Sequence, residues 1–223
     1  VKVRRKFIFI FVKKIKTVHL TINQAILGIF FLAIFLRLTV FAFVARKKYL
    51  PFAPDEQTYA SLTKWIEEKK PSYEFPVYSN LYSSSKTFIN ASGLLTNLGL
   101  EPLIALRLIS LIAGIISIFI FKSILDQLCV IFKMRRSIFL HFLVLIFYFL
   151  WPSNILWATV ALRESLTHLL LLLTLRIFLT LIFMKSNSHF SYSAIFKHFL
   201  LFLAIYSGFG IRPQTFWIIC SAI

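Results

Sequence analysis

Two adjacent carboxylates, Asp55 and Glu56, stand in "PDEQTYASL", a few residues beyond a long apolar run in a chain that has only eight acidic residues. A carboxylate held in place at a membrane rim can accept a proton from an attacking hydroxyl or amine. Arginines supply the complementary chemistry. Arg163 and Glu164 follow "WPSNILWATVAL", Arg212 lies in "GFGIRPQT", and Arg37 and Arg107 lie inside apolar runs. A guanidinium stays charged and offers a planar fork that matches phosphate oxygens bidentately. Together these residue types suit an amphipathic ligand with an apolar tail and a phosphate.

The elements that must carry these residues are membrane spans. Of 223 residues, 59% are hydrophobic and 15% charged, and Phe alone contributes 26. That bias lies outside the globular range. The net charge of +17 would point to nucleic acid in a soluble chain. Here the apolar runs are long enough to cross hydrocarbon, so the excess base reads as topology and phosphate affinity, with no nucleic-acid partner. The expected fold class is all-α, a polytopic transmembrane helical bundle forming a single domain over residues 1–223.

Five spans are expected, at about 20–45, 103–121, 138–151, 165–184 and 195–209, within a total of five to six. Residues 1–18 carry Lys2, Arg4, Arg5, Lys6, Lys13, Lys14 and Lys16, which places the amino terminus in the cytoplasm. Residues 46–102 then form a first exoplasmic loop, and Lys122, Lys133, Arg135 and Arg136 return to the inside. Arg46, Lys47 and Lys48 fall on the disfavoured side but are outnumbered by the amino-terminal bases. The sequence starts at Val1 and stops within the apolar "FWIICSAI", so the chain is expected to be a fragment.

After Pro54 the spacing of Tyr59, Leu62 and Ile66 predicts a short helix lying in the interface, while "YSNLYSSSK" reads as a flexible part of the loop. Asp55 is expected at the N-cap and Glu56 in the first turn, where backbone donors and the helix dipole favour negative charge. Such a cap can also serve as a positioned base. The backbone interruption before Arg163 is of the kind tolerated where it lines protein or a wet cavity. A charge such as Arg37 or Arg107 at mid-bilayer would cost about 2.5–3.5 kcal/mol, so each either faces the bundle interior or snorkels to headgroups.

Weaker signals are set beside these. Glu164 and His168 share a helical face, but two ligands without a third make a hydrogen bond a better reading than a metal site. Asn90 opens an "NAS" sequon, which matters only in a eukaryotic secretory setting. Cys129 and Cys220 have no zinc or disulfide spacing. No nucleotide motif is present, no cofactor is called for, and a divalent cation would be compatible with the chemistry without being indicated.

The order of the first span, "PDEQTYASL", "EPLIALRLISLIAGIISIFIF" and "PSNILWATVALRESLTHLLLLLTLRIFL" resembles the polytopic GT-C glycosyltransferases, especially bacterial relatives of the dolichyl-phosphate-mannose protein mannosyltransferases, over most of residues 25–217. Members transfer a sugar from a polyprenyl-phosphate carrier to an acceptor on the exoplasmic face and use a first-loop acid. The resemblance implies Asp55 as the catalytic residue with Glu56 beside it. It also implies an inverting hexosyl or pentosyl transfer to a glycan, lipid or protein of the cell envelope, and a multi-pass cell-membrane location. Arg163, Glu164, Arg212 and Arg107 are the expected lipid-phosphate group. Members have more spans than are counted here, and often a distal domain. The rival classes are a transporter or flippase of lipid-linked sugars and a non-catalytic envelope-assembly protein. A transporter would prefer polar residues at mid-membrane.

Overall fold

The computed structural model describes residues 2–47, 52–68, 82–132, 138–183 and 192–212, with the side chains of the first helix described from Gln24 onward. Loop residues 69–81, the bases Lys133, Arg135 and Arg136, the polar residues 184–191 and Cys220 lie outside this set. Every regular element among the described residues is helical: α1 (Lys2–Arg46), α2 (Pro54–Glu67), α3 (Lys86–Thr96), α4 (Pro102–Ile131), α5 (Ile138–Leu150), α6 (Pro152–Trp157), α7 (Arg163–Phe183) and α8 (Tyr192–Phe209). The protein is an all-α helical membrane bundle.

Proline sets several of the boundaries. Pro54, Pro102 and Pro152 each open a helix, where the fixed φ suits the first turn and the missing N–H has no intrahelical acceptor to lose. Ala53 occupies the N-cap of α2 with extended backbone and no side-chain cap bond. Asp55 is therefore not the expected cap: with Pro54 as the first helical residue the helix starts two residues earlier, and both carboxylates fall in the first turn.

Among the described residues, three helices are long and apolar enough to cross a membrane: Gln24–Arg46 of α1, Pro102–Ile131 and Arg163–Phe183. These match three of the five expected spans. The run expected at 138–151 forms a helix of 13 residues. At about 1.5 Å per residue the described helix accounts for roughly 20 Å of the roughly 30 Å hydrocarbon thickness. The fifth run gives a shorter apolar helix, Phe196–Phe209. The amino-terminal basic segment, read as a tail, is helical and continuous with the first span.

Helix α4 is the axis of the bundle. Two thirds of its apolar stretch (67%) is buried, against 17% for α1 and 28% for α7. Its length joins three core clusters. Leu103 and Leu106 pack with Tyr59, Leu62, Phe88, Ile89 and Ala161 beneath α2 and α3. Ile118 meets Ile29, Phe30 and Ala33 of α1 and Leu145 and Phe149 of α5. Ile120 and Ile124 meet Leu172 and Leu179 of α7. The apolar stripe of α2 thus packs on protein: Tyr59 and Leu62 are both buried, and Thr63 Oγ1 lies 2.7 Å from Ser92 Oγ of α3.

Two glycines permit close approaches that locate the later elements. A methyl group at Gly114 of α4 would overlap the Ala158 side chain in the turn after α6, and one at Gly210 would overlap the Thr87 hydroxyl of α3. Thr87 also donates its backbone N–H to the Gly210 carbonyl at 3.2 Å and its hydroxyl to the Ser207 carbonyl at 2.9 Å. The end of α8 is therefore fastened to the start of α3, which fixes where Ile211 and Arg212 emerge.

Candidate functional site

The two adjacent acids of α2 have opposite surroundings. Glu56 is fully buried, and each of its oxygens accepts two hydrogen bonds. Oε1 receives Arg107 Nε at 3.1 Å and the Ala161 N–H at 2.6 Å, while Oε2 receives Arg107 Nη2 at 2.9 Å and the Phe52 N–H at 2.6 Å. A carboxylate has about four acceptor sites, and all four are occupied. Burial by itself would raise the Glu56 pKa, but the hydrogen bonds from Arg107, Ala161 and Phe52 and the Arg107 charge outweigh it and hold the carboxyl below its ordinary value.

Arg107 is equally engaged. Besides Glu56 it donates through Nη1 to the Val44 carbonyl at 3.0 Å, in the last turn of α1, where a cation also complements the helix dipole. Its guanidinium carbon lies 5.6 Å from the centre of the Phe52 ring. Two sequence expectations are corrected here. Glu56 does not sit beside Asp55 as a second catalytic acid, because its lone pairs are filled and no solvent reaches it. Arg107 does not face a phosphate, because its fork closes on Glu56 and the end of α1.

Asp55 is exposed. One helical turn separates it from Tyr59, so the two occupy the same stripe of α2, with Asp55 at the outer edge. The Tyr59 phenol is buried against Phe88, with ring centres 5.6 Å apart. Burial raises its pKa, the Arg163 charge and a hydrogen bond with Ser85 pull it back, and the negative charges of Glu164 and Asp55 push it up further, for a net rise. One phenol thus senses three of the charged groups singled out in the sequence.

Arg163, at the first position of α7, is held by the start of the α3 region and the end of α8. Its Nη1 lies 3.0 Å from both the carbonyl and the hydroxyl of Ser84, 2.9 Å from the Ser85 hydroxyl and 3.3 Å from the Ile211 carbonyl. Its Nε is buried and makes no hydrogen bond among the described residues. Glu164 Oε1 pairs with Arg212 Nη2 at 3.3 Å, and Glu164 Oε2 is likewise without a partner among the described residues. The structure brings Arg163, Glu164 and Arg212 together, with Asp55 on the adjoining edge of α2.

Ser84 and Ser85 were not singled out by sequence, and Tyr59 was read only as part of the apolar stripe of α2. The "YSSSK" composition suggested flexibility, yet Ser85 is fully buried and its hydroxyl is a seat for Arg163. The expected Glu164–His168 hydrogen bond is also replaced: His168 Nε2 lies 3.4 Å from the Tyr148 hydroxyl instead. Asn90 is exposed on α3, where its amide oxygen accepts from Tyr82 at 3.4 Å. Among the described residues no three His, Cys, Asp or Glu side chains gather as a metal site.

Comparison with protein families, curated proteins and solved structures finds no significant match to this chain.

Proposed function

We propose that this chain is a membrane glycosyltransferase that moves a sugar from a polyprenyl-phosphate carrier to an acceptor on the exoplasmic face. In this reading the protein is multi-pass with a cytoplasmic amino terminus, and the acceptor is a glycan, lipid or protein of the cell envelope. The observation that supports it most is the meeting of Arg163, Glu164 and Arg212 where the start of α7 reaches the end of α8, with Asp55 exposed in the first turn of α2. A polar rim beside lipid-exposed helices suits a substrate with a phosphate head and a hydrocarbon tail.

The roles divide by environment. Asp55, exposed and not committed to a salt bridge among the described residues, accepts the proton of the acceptor hydroxyl or amine as that atom attacks the anomeric carbon. Arg163 and Arg212 stabilise the negative charge that grows on the departing lipid phosphate, and Glu164 orients Arg212. A single displacement of this kind inverts the anomeric centre. Glu56 and Arg107 contribute by holding α2 in place.

The test is transfer of labelled sugar from a polyprenyl-phosphate carrier into membrane fractions by the full-length protein and its Asp55→Asn variant. Transfer should fall by about a hundred- to ten-thousandfold in the variant. Unchanged transfer by a folded Asp55→Asn protein would remove the assignment.

A further inference from the structure

The carboxy-terminal half of α3 is built inside out for a helix in water. Its buried positions are Ser92, Gly93 and Thr96, whereas Leu94 and, in the turn that follows, Leu98 are 69% and 79% exposed. A helix between protein and water turns its apolar side chains toward the protein. Small residues turned inward with leucines turned outward suit a helix that packs closely on its neighbours and meets hydrocarbon on its other side. The inward contacts are close and polar: Ser92 Oγ lies 2.7 Å from Thr63 Oγ1 of α2, and Thr96 donates its hydroxyl to the Gly93 carbonyl at 2.9 Å.

The amino-terminal half of α3 has the ordinary arrangement, with Phe88 and Ile89 fully buried and Lys86 and Asn90 exposed. The exposed side of the helix therefore changes from polar to apolar along its length, and it does so toward α4. Leu98 stands four positions before Pro102, the first residue of α4. Four residues reach at most about 14 Å. The connection is also folded back: the Gly99 N–H bonds the Thr96 carbonyl at 2.8 Å, the Leu100 N–H bonds the Leu95 carbonyl at 3.3 Å, and Gly99 has φ 89°. Helix α4 is apolar from its first turn, "PLIAL", so the leucines lie next to the place where it enters hydrocarbon. Two leucines rimmed by the exposed amides of Asn90 and Asn97 are a small part of the roughly 20–30 residues a side that a stable protein interface takes. A leaflet, with amides at its headgroups and leucines at its acyl boundary, fits the patch as it stands.

We propose that the carboxy-terminal end of α3 is a lipid-inserting wedge: Leu94 and Leu98 enter the acyl boundary of the leaflet that α4 crosses at Pro102, while Asn90 and Asn97 stay among the headgroups. The interfacial position expected of α2 belongs instead to α3, because the apolar stripe of α2 is covered by protein. Ser84 and Ser85, which seat Arg163, immediately precede α3, so the wedge also holds that seat against the membrane.

The experiment is site-directed spin labelling of the full-length protein in phosphatidylcholine vesicles, with its native cysteines replaced by serine and one nitroxide attached at Asn90→Cys, Leu94→Cys or Leu98→Cys. All three positions are exposed, so the labels leave the packing of α3 in place. At Leu94→Cys and Leu98→Cys the nitroxide should collide more with oxygen, which concentrates in hydrocarbon, than with a nickel chelate, which stays in water. At Asn90→Cys the order should reverse. Nickel-dominated collisions at both leucine positions would put the patch in water, and shielding from both reagents would put protein over it. Either result overturns the wedge, as does the same oxygen-to-nickel balance at Asn90→Cys as at Leu98→Cys.

Discussion

Glu56 and Arg107, 51 positions apart in sequence, meet fork to fork at 2.9 and 3.1 Å with neither side chain exposed. The pair joins the start of α2 to α4, and through the Val44 and Ala161 backbone it also reaches the end of α1 and the turn before α7.

Breaking this pair from one side should be severe. Arg107→Ala leaves a buried carboxylate without its cation, and Glu56→Ala leaves a buried guanidinium; each should cost about 3–5 kcal/mol. The double substitution should cost less than the sum of the two singles. A double-mutant cycle measured by thermal unfolding in detergent checks both statements, and additive losses would show that the pair is not coupled.

The same carboxylate gives stability a pH dependence with a defined sign. The folded-state pKa of Glu56 lies below its ordinary value, so the unfolded chain binds the proton more readily. Its contribution is fully present above about pH 4.3 and is lost as pH falls from there through the lower folded value. Wild-type protein should therefore lose Tm on acidification below about pH 4.3 more steeply than Glu56→Gln, which cannot titrate there. Parallel curves would contradict the linkage.

The Arg212–Glu164 pair is a different kind of contact. Its side chains are 45% and 26% exposed, so its loss should change stability by no more than about 1 kcal/mol. If Arg212 serves the lipid phosphate, Arg212→Ala should lower sugar transfer at least tenfold with Tm nearly unchanged. Loss of Tm without loss of transfer would make Arg212 a structural residue.

Much of the scaffold was legible because it depends on local pattern. Long apolar runs named α1, α4 and α7, and the apolar spacing after Pro54 named α2. The run at 138–151 is α5 to within a residue, because the Pro152 turn that ends it is itself a local signal. The site was less legible. Asp55 and Glu56 are chemically alike neighbours, and what distinguishes them is the Arg107 fork, 51 residues away, and the Ala161 N–H, 105 residues away. Ser84 and Ser85 look like loop residues until Arg163, 79 and 78 residues later, arrives to use their oxygens.

The contact of Gly210 with Thr87 has a clear consequence for substitution. Gly210→Ala must displace the Thr87 hydroxyl or lift α8 from α3, at a cost of about 1–3 kcal/mol. Thr87→Ser keeps the hydroxyl and should be milder. The paired variants, compared by thermal unfolding, check this; equal behaviour of Gly210→Ala and wild type would mean that α8 is not seated there.

The four donors around Glu56 also impose a timetable on biogenesis. Phe52 is translated early, Arg107 some fifty residues later, and Ala161 last of all. When α2 emerges from the ribosome its acidic side chain has nothing to enter, and it remains hydrated until α4 and the segment ahead of α7 have been inserted. The rim of this protein is consequently a late product of assembly, closed by the arrival of Ala161, which contributes nothing but a backbone N–H.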